Sequence, residues 1–357
     1  MRYKSCNLIQ HGLCFYNEML VSCCFSPNDQ INGGFPPIIC KNYHGELIDS
    51  DFLFKKIKEY NDVFKNGSCP KECLNCFKIE EKEWNEDHYI NSITITHFSA
   101  CNADCIYCSN NLEKNERTNN SYDILPVLNN LKEQNIIRQG VELHIGGGEF
   151  TIYKECDDLI DKFALSGFAK VFVPTNAICY SDKLHKALVK NTAAIVVSLD
   201  AGSRKTYKKI KNVDAFDIVV NNLRKYSSDL TEPEAISLKY IIIPTINDNY
   251  TEFSKFLSFA KKLNIKKVII DVDARYSRLL NYNIDPYLIN FVERIKNESL
   301  KRGFITETYS FYSQCSNNSL KDKNIIHDIY SFIRYKILSK KINYLYTSHL
   351  YGIKRVD

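Results

Sequence analysis

The sequence predicts an α/β fold built around a parallel sheet. Short β-rich runs alternate with helical stretches six times, which is typical of βαβ units with buried strands. The runs cover residues 92–97, 141–145, 169–174, 194–199, 237–243 and 267–272. Earlier in the chain, two apolar runs at 13–16 and 19–23 predict a hairpin, and residues 51–64 have a helical pattern. A last helix over 285–302 closes the sixth repeat.

Composition excludes several classes of protein. The chain has 357 residues, 44% of them hydrophobic, 14 cysteines and a formal charge of +5. Segment 320–357 holds eight Lys or Arg and three Asp, so this tail carries the whole excess (8 − 3 = +5) and a chain-wide nucleic-acid surface is not expected. We also expect no membrane span and no export signal, because the apolar runs are too short. A cytoplasmic protein follows, with cysteines that bind metal rather than form disulfides.

Three cysteines stand in one short loop directly after the first run of the repeats. Cys101, Cys105 and Cys108 have spacings that allow thiolates to bind three corners of one iron–sulfur cluster. The loop holds no fourth cysteine, so one iron would keep an open site for a small molecule. A structural zinc knuckle and buried core cysteines are the alternatives.

These residues, with the aromatic Tyr107 before the last cysteine, resemble the signature of the radical S-adenosylmethionine (SAM) superfamily. The resemblance implies a partial (β/α)6 TIM-like barrel with its active site at the carboxyl ends of the strands. It implies a [4Fe–4S] cluster whose open iron binds SAM, and reductive cleavage of SAM to a 5′-deoxyadenosyl radical that abstracts hydrogen from a substrate. It also implies a reducing partner such as flavodoxin or ferredoxin.

The same resemblance implies residues that hold SAM. Gly147, Gly148 and Glu149 follow the second run and match the family's Gly-Gly-Glu motif at the methionyl amino group. Asn176 follows the third run, where the family places polar residues near the nucleoside. An ordinary tight turn is the alternative for the glycines, and a turn residue for Asn176.

The fourth run ends at Ser198 and Asp200, which the resemblance places near the SAM ribose. Both side chains can point to one side because they alternate with Leu199. Arg204 could offer a bidentate fork to the SAM carboxylate. Its alternative is a solvated helix residue.

The first ninety residues carry eight of the cysteines. Cys69, Cys73 and Cys76 repeat the spacing of the central loop, but a helix precedes them instead of a strand. They resemble the auxiliary-cluster module of SPASM and twitch proteins, which implies a second [4Fe–4S] cluster; a zinc site is the alternative. The remaining candidates for its fourth ligand are Cys14, Cys23 and Cys24, with Cys6 and Cys40 as spare candidates.

We therefore predict three parts: a cysteine-rich α+β domain over 1–90, the barrel over 91–280 and a helical extension over 281–357. An amphipathic stripe over 325–337 predicts a docking helix in this extension. The predicted reaction is the oxidation or modification of a peptide, a protein or a small molecule such as a nucleotide-linked sugar. A redox-neutral enzyme with structural zinc, or a non-catalytic metal-binding module, remains open.

Overall fold

The structure is a computed structural model that describes residues 2–308, except 17, 24–35, 75, 77, 85–86, 109–121, 154, 166–167 and 274–285. The chain divides into two compact units. The first comprises Met1–Cys101 and Glu116–Val173, and the second comprises Asn102–Asn115 and Pro174–Asp357. The predicted three-part division stays a prediction, and the predicted docking helix over 325–337 lies outside the described residues.

The first unit contains a sheet with both parallel and antiparallel strands. Its elements are β1 (Arg2–Ser5), α1 (Asn7–His11), β2 (Gly12–Phe15), β3 (Met19–Val21), β4 (Ile38–Lys41), α2 (Ser50–Lys65), β5 (Glu80–Glu83), β6 (Ile90–Ile95), α3 (Leu125–Glu133), β7 (Ile137–Ile145), α4 (Cys156–Leu165) and β8 (Lys170–Thr175), which ends in the second unit. Parallel pairing runs from β2 through β6 and β7 to β8, while β3 and β4 add antiparallel strands beside β2. The predicted hairpin is confirmed, since Cys14 in β2 pairs with Val21 in β3.

A separate two-stranded sheet joins the start of the chain to residues near position 80. Strands β1 and β5 pair antiparallel, with Arg2 opposite Glu83 and Ser5 opposite Glu80. The sheet lies beside a small core that includes Tyr3 and Trp84, and the Trp84 Nε1 donates to the Tyr3 carbonyl at 3.0 Å. This core fixes the N-terminal strand against the segment that contains Cys69, Cys73 and Cys76.

The second unit contains a parallel sheet of four strands with helices between them. Its elements are α5 (Asp182–Val189), β9 (Ala193–Ser198), α6 (Arg204–Lys211), α7 (Phe216–Tyr226), β10 (Ile236–Ile242), α8 (Tyr250–Lys262), β11 (Lys267–Val272), α9 (Pro286–Lys301) and β12 (Ile305–Thr308). The strands pair in the order β9, β10, β11, β12. Strands β9, β10 and β11 are almost entirely buried, as expected for parallel strands covered by helices. The six predicted strand runs and the helices predicted at 51–64 and 285–302 are confirmed.

None of the helices within the described ranges combines the length and the apolar character that crossing a bilayer requires.

Candidate functional site

In the first unit, the turn after β7 is bonded to the backbone that leads into the central cysteine loop. The Gly148 amide donates to the Phe98 carbonyl at 2.9 Å, and the Glu149 amide donates to the Ala100 carbonyl at 2.8 Å. Ala100 directly precedes Cys101. The glycine turn therefore sets the position of the backbone from which the first cysteine emerges.

Two of these glycines cannot carry a side chain without moving that backbone. Gly147 has φ +87°, and a Cβ placed there would lie 2.3 Å from the Phe98 carbonyl oxygen. A Cβ on Gly148 would lie 2.0 Å from the Ala100 carbonyl oxygen. Only glycine permits this approach of the two backbones, so the predicted Gly-Gly-Glu turn has a specific packing requirement beyond that of an ordinary tight turn.

Glu149 is 2% exposed and closes the same turn. Its Oε1 accepts from the Thr151 amide at 3.1 Å and from the Thr151 hydroxyl at 2.6 Å. The carboxylate thus supports the loop that follows the glycines. Its predicted role toward SAM stays a prediction.

In the second unit, Asp200 is the centre of a buried charged network. Its Oδ2 lies 2.6 Å from the Lys211 Nζ and accepts from the Tyr107 hydroxyl at 2.6 Å. Its Oδ1 accepts from the Ile241 amide at 2.7 Å. Both charged side chains are essentially unexposed, at 1% for Lys211 and 0% for Asp200. Burial is the largest single effect and would lower the pKa of Lys211, but Asp200 and smaller contributions from Cys105 and Tyr207 together raise it, so Lys211 stays protonated.

This network holds the second half of the cysteine loop. Tyr107 lies between Cys105 and Cys108, and its hydroxyl also accepts from the Lys211 Nζ at 2.7 Å. Two backbone bonds reinforce it: the Asp104 amide donates to the Lys211 carbonyl at 3.0 Å, and the Ile106 amide to the Ile210 carbonyl at 2.9 Å. The end of α6 therefore serves as a rigid support for the loop.

Asn176 is 7% exposed and contacts the same loop. Its side-chain nitrogen donates to the Asn102 Oδ1 at 2.7 Å, while its own Oδ1 accepts from the Ile178 amide at 2.9 Å. Asn176 is therefore both a turn residue and a neighbour of the residue after Cys101. Its predicted place near a nucleoside stays a prediction.

Ser198 and Arg204 differ in their surroundings. Ser198 is half-buried at the end of β9. Arg204 is 61% exposed, and its guanidinium lies 2.7 Å from Asp214 and 3.3 Å from Asp217. These two carboxylates raise the pKa of Arg204, the Asp214 hydrogen bond contributing most. Contact between Arg204 and the SAM carboxylate stays a prediction, and it requires the guanidinium to leave both acids.

Three residues of the second unit that follow the carboxyl end of a strand have left-handed backbone. Ala177 follows β8 with φ 56°, Asp200 follows β9 with φ 56°, and Thr245 follows β10 with φ 66°. Residues other than glycine rarely adopt this region. The predicted active site at the carboxyl ends of the strands stays a prediction.

The cysteines of the central loop fit an iron–sulfur cluster by their donor chemistry. Cys101, Cys105 and Cys108 are all half-buried, so these residues are neither fully buried in a core nor fully exposed to solvent. Among the described residues, no three His, Cys, Asp or Glu side chains are already gathered as a finished metal-ligand set. The assignment of these three thiols as the donors for a [4Fe–4S] cluster stays a prediction.

The match to a known family covers this loop and both of its supports. Residues 95–258 match the model of the Radical SAM superfamily, from the end of β6 into α8. Residues 95–258 of this chain therefore form a radical SAM domain. A radical SAM domain implies a [4Fe–4S] cluster and SAM as cofactors, and Cys101, Cys105 and Cys108 are the three cysteines that carry the signature.

Curated relatives include the probable GTP 3′,8-cyclases of Saccharolobus solfataricus and Metallosphaera sedula. They are 28% identical over 179 residues and 23% identical over 177 residues, respectively. Each alignment covers 49% of this chain and 54% or 53% of the relative. The chain thus spans about half the length of the curated relatives it matches.

Among solved structures, Streptococcus suis SuiB bound to its precursor peptide SuiA has a TM-score of 0.52 and 13% identity. That match covers 90% of this chain and 77% of SuiB. SuiB bound to S-adenosylmethionine gives a TM-score of 0.50 at 14% identity, over 77% of this chain and 60% of SuiB. These likenesses confirm the predicted α/β fold of the radical SAM partial barrel.

Two buried residues of these units, Lys211 and His97, carry no signal in the sequence that marks them as functional. Lys211 is one of several lysines in α6, and its burial becomes evident only once the helix is placed in the fold.

His97 is 2% exposed, and neither ring nitrogen has a hydrogen-bond partner in the described part of the chain. Burial lowers its pKa to about 4, so the ring is neutral. It borders a cavity of about 460 Å³ in the first unit, together with Tyr122 and Tyr153.

Asp271, at the carboxyl end of β11, makes the stability of the second unit depend on pH. It is 7% exposed, and burial raises its pKa to about 6 although Lys239, 3.8 Å away, opposes the rise. The folded state therefore binds this proton more tightly than the unfolded chain, and stability declines as pH rises from about 4 to about 6. We expect Asp271→Asn to raise the free energy of unfolding by about 1–3 kcal/mol at pH 7.5, and by much less at pH 4.5.

Urea unfolding at the two pH values measures this difference. Asp217→Asn is the control because Asp217 is 72% exposed, and we expect it to change stability by less than about 1 kcal/mol at either pH. If Asp271→Asn raised the free energy of unfolding more at pH 4.5 than at pH 7.5, the pKa of Asp271 would not be raised in the folded state.

Proposed function

We propose that this chain is a radical SAM enzyme that cleaves S-adenosylmethionine reductively and abstracts hydrogen from a substrate. The observation that carries the proposal is the three-cysteine loop at Cys101, Cys105 and Cys108, which lies within the stretch that matches the superfamily. When bound by Cys101, Cys105 and Cys108, a [4Fe–4S] cluster supplies the electron that splits SAM into methionine and a 5′-deoxyadenosyl radical.

In this proposal, the chain's own residues bind and orient SAM. The turn at Gly147, Gly148 and Glu149 offers backbone groups for the amino group of SAM, and Asn176 and Ser198 provide polar atoms for its nucleoside. Asp200 is fully engaged by Lys211, Tyr107 and the Ile241 amide. We therefore assign Asp200 chiefly to holding the loop, with any contact to the SAM ribose made through its backbone.

Two substrate classes are compatible with this reaction. The curated relatives are named for a reaction of GTP, which supports a nucleotide or a nucleotide-linked sugar. A structural neighbour holds a precursor peptide, which supports a peptide or protein. We further propose a second metal centre in the N-terminal region, a cytoplasmic location and a flavodoxin or ferredoxin as electron donor.

The test is the formation of 5′-deoxyadenosine by the full chain, reconstituted anaerobically with iron and sulfide and then given SAM and dithionite. We expect Cys105→Ala to reduce the rate at least about a hundredfold, because the cluster loses one of three protein ligands. Cys156→Ala is the matched control, since Cys156 is 4% exposed and burial raises its pKa to about 12.

Equal rates in wild type and Cys105→Ala would refute the proposed function. With activity established, deuterated GTP and deuterated peptides distinguish the substrate classes. Deuterium will enter 5′-deoxyadenosine only when the true substrate supplies it, and flavodoxin in place of dithionite tests the electron donor.

A further inference from the structure

We infer that Cys6, Cys69, Cys73 and Cys76 form a four-thiolate metal site in the first unit, with Cys6 as the fourth ligand. We call these residues the four-thiol cluster. The inference deepens the proposed N-terminal metal centre by naming its ligands. It does not depend on SAM cleavage, because its residues lie outside the central loop.

The pairing of β1 with β5 brings Cys6 to the other three cysteines. Ser5 lies opposite Glu80, and the next residue, Cys6, belongs to the small core against which Ile79 packs. Ile79 is three positions after Cys76, whose amide donates to the Cys73 carbonyl at 3.0 Å. About seventy residues of chain separate Cys6 from the others, and a two-stranded sheet closes that distance.

Packing brings these cysteines into one region, although their sulfurs are not gathered as a finished ligand set in the described structure. Cys6, at 4% exposure, and Cys73, at 6%, belong to one small core, and Cys69 packs against it. The thiols also influence one another: burial raises the pKa of Cys73 most, and the approach of Cys6, Cys69 and Cys76 raises it further. No disulfide joins the described cysteines, so these four remain thiols.

Backbone amides are directed at two of the four sulfurs. The Cys6 Sγ caps the start of α1, where it accepts from the Ile9 amide at 3.4 Å and has the Leu8 amide beside it. The Cys76 sulfur receives the Lys78 amide. Backbone N–H groups directed at sulfur stabilise thiolate over thiol and are the usual outer contacts of thiolate metal ligands.

Charges of both signs lie near the cluster. Lys4 and Glu72 lie near Cys69, Lys78 lies near Cys76, and Glu80 lies near Cys6. Four thiolates suit Zn²⁺ or a [4Fe–4S] cluster.

The other cysteines of the region have different neighbours. Cys14 lies in β2 opposite Val21 and Thr94 and affects the pKa of Tyr122. Cys40 donates to the Lys41 carbonyl at 3.3 Å and lies near Glu46. Cys23 is buried directly after β3, and Cys24 lies outside the described residues. The described contacts therefore favour Cys6 as the fourth ligand over Cys14 and Cys40.

The experiment measures iron, sulfide and zinc in the full chain carrying Cys101→Ala, Cys105→Ala and Cys108→Ala, so that the central cluster cannot contribute. We expect about four irons and four sulfides, or about one zinc, per chain. Adding Cys6→Ser should remove most of this metal, whereas adding the matched buried substitution Cys14→Ser should leave it in place. Absence of both metals, or loss with Cys14→Ser and retention with Cys6→Ser, would overturn the inference.

Hydrogen exchange of the wild-type chain keeps the test valid if Cys6→Ser does not fold. Removing the metal with a chelator should speed exchange of the Leu8 and Ile9 amides about tenfold, because their sulfur partner is released. Unchanged exchange at these two amides, with faster exchange confined to residues 69–76, would show that Cys6 is not a ligand.

Discussion

Lys211→Ala is expected to lower the free energy of unfolding by about 3–5 kcal/mol, because it leaves the Asp200 carboxylate buried without its cation. The pair is 2.6 Å apart and neither side chain is more than 1% exposed. The Tyr107 hydroxyl and the Ile241 amide still donate to Asp200 after the substitution, but they cannot neutralise its charge. Urea unfolding followed by circular dichroism gives the measurement.

Lys208→Ala is the matched control on the same helix. Lys208 is 63% exposed and its Nζ lies 3.2 Å from Asp214, so we expect a loss below about 1 kcal/mol. The double variant Lys211→Met with Asp200→Asn removes both charges and should recover part of the stability. If Lys208→Ala and Lys211→Ala had equal effects, the buried pair would not stabilise the unit.

The same substitution should also affect the cluster. Lys211 donates to the Tyr107 hydroxyl at 2.7 Å, and Tyr107 lies between two predicted iron ligands. We expect the variant to retain less iron than wild type after gel filtration under conditions where it remains folded. If the variant retained as much iron as wild type, Lys211 would stabilise the second unit without supporting the cysteine loop.

Gly148→Ala is expected to weaken both cluster retention and SAM binding about tenfold or more. Its Cβ would lie 2.0 Å from the Ala100 carbonyl oxygen and 2.7 Å from the Ala100 and Ser99 carbonyl carbons. These are backbone atoms, so the segment before Cys101 has to move rather than a flexible side chain, and overpacking of this kind typically costs about 1–3 kcal/mol. Iron content and SAM affinity by equilibrium binding test the expectation.

Gly140→Ala separates this steric effect from backbone strain. Gly140 has φ +77° in β7, but a Cβ there meets nothing within 4 Å. We therefore expect it to cost about 1 kcal/mol of stability through strain alone, and to leave iron content and SAM affinity unchanged. If Gly140→Ala lowered SAM affinity as much as Gly148→Ala, contact with Ala100 would not be the cause.

Patterns within short segments of the sequence predict the strands and turns that form between residues close together in the chain. The six strand runs and the hairpin at Cys14 follow from alternation and apolar runs. The Gly-Gly-Glu turn was found because two glycines and a carboxylate follow a strand one repeat after the cysteines. Such signals survive in a single sequence because each residue acts on its immediate neighbours.

Partners distant in sequence were not predictable in this way. In sequence, Lys211 is one of four lysines in α6, and only the docking of that helix buries it beside Asp200. Cys6 was a spare candidate for the N-terminal metal because its approach to Cys69, Cys73 and Cys76 depends on the register of β1 against β5. Strand register over such a separation is set by tertiary packing, which single-sequence patterns do not encode.

By itself, therefore, the sequence determined the α/β repeat, the three-cysteine loop and the superfamily to which they belong. Those features depend on spacing and on side-chain chemistry within short segments. Only the tertiary structure decided what holds the loop in place and which thiols share the N-terminal core. Both depend on burial, since the Asp200–Lys211 pair and the four-thiol cluster become specific only when packing excludes water.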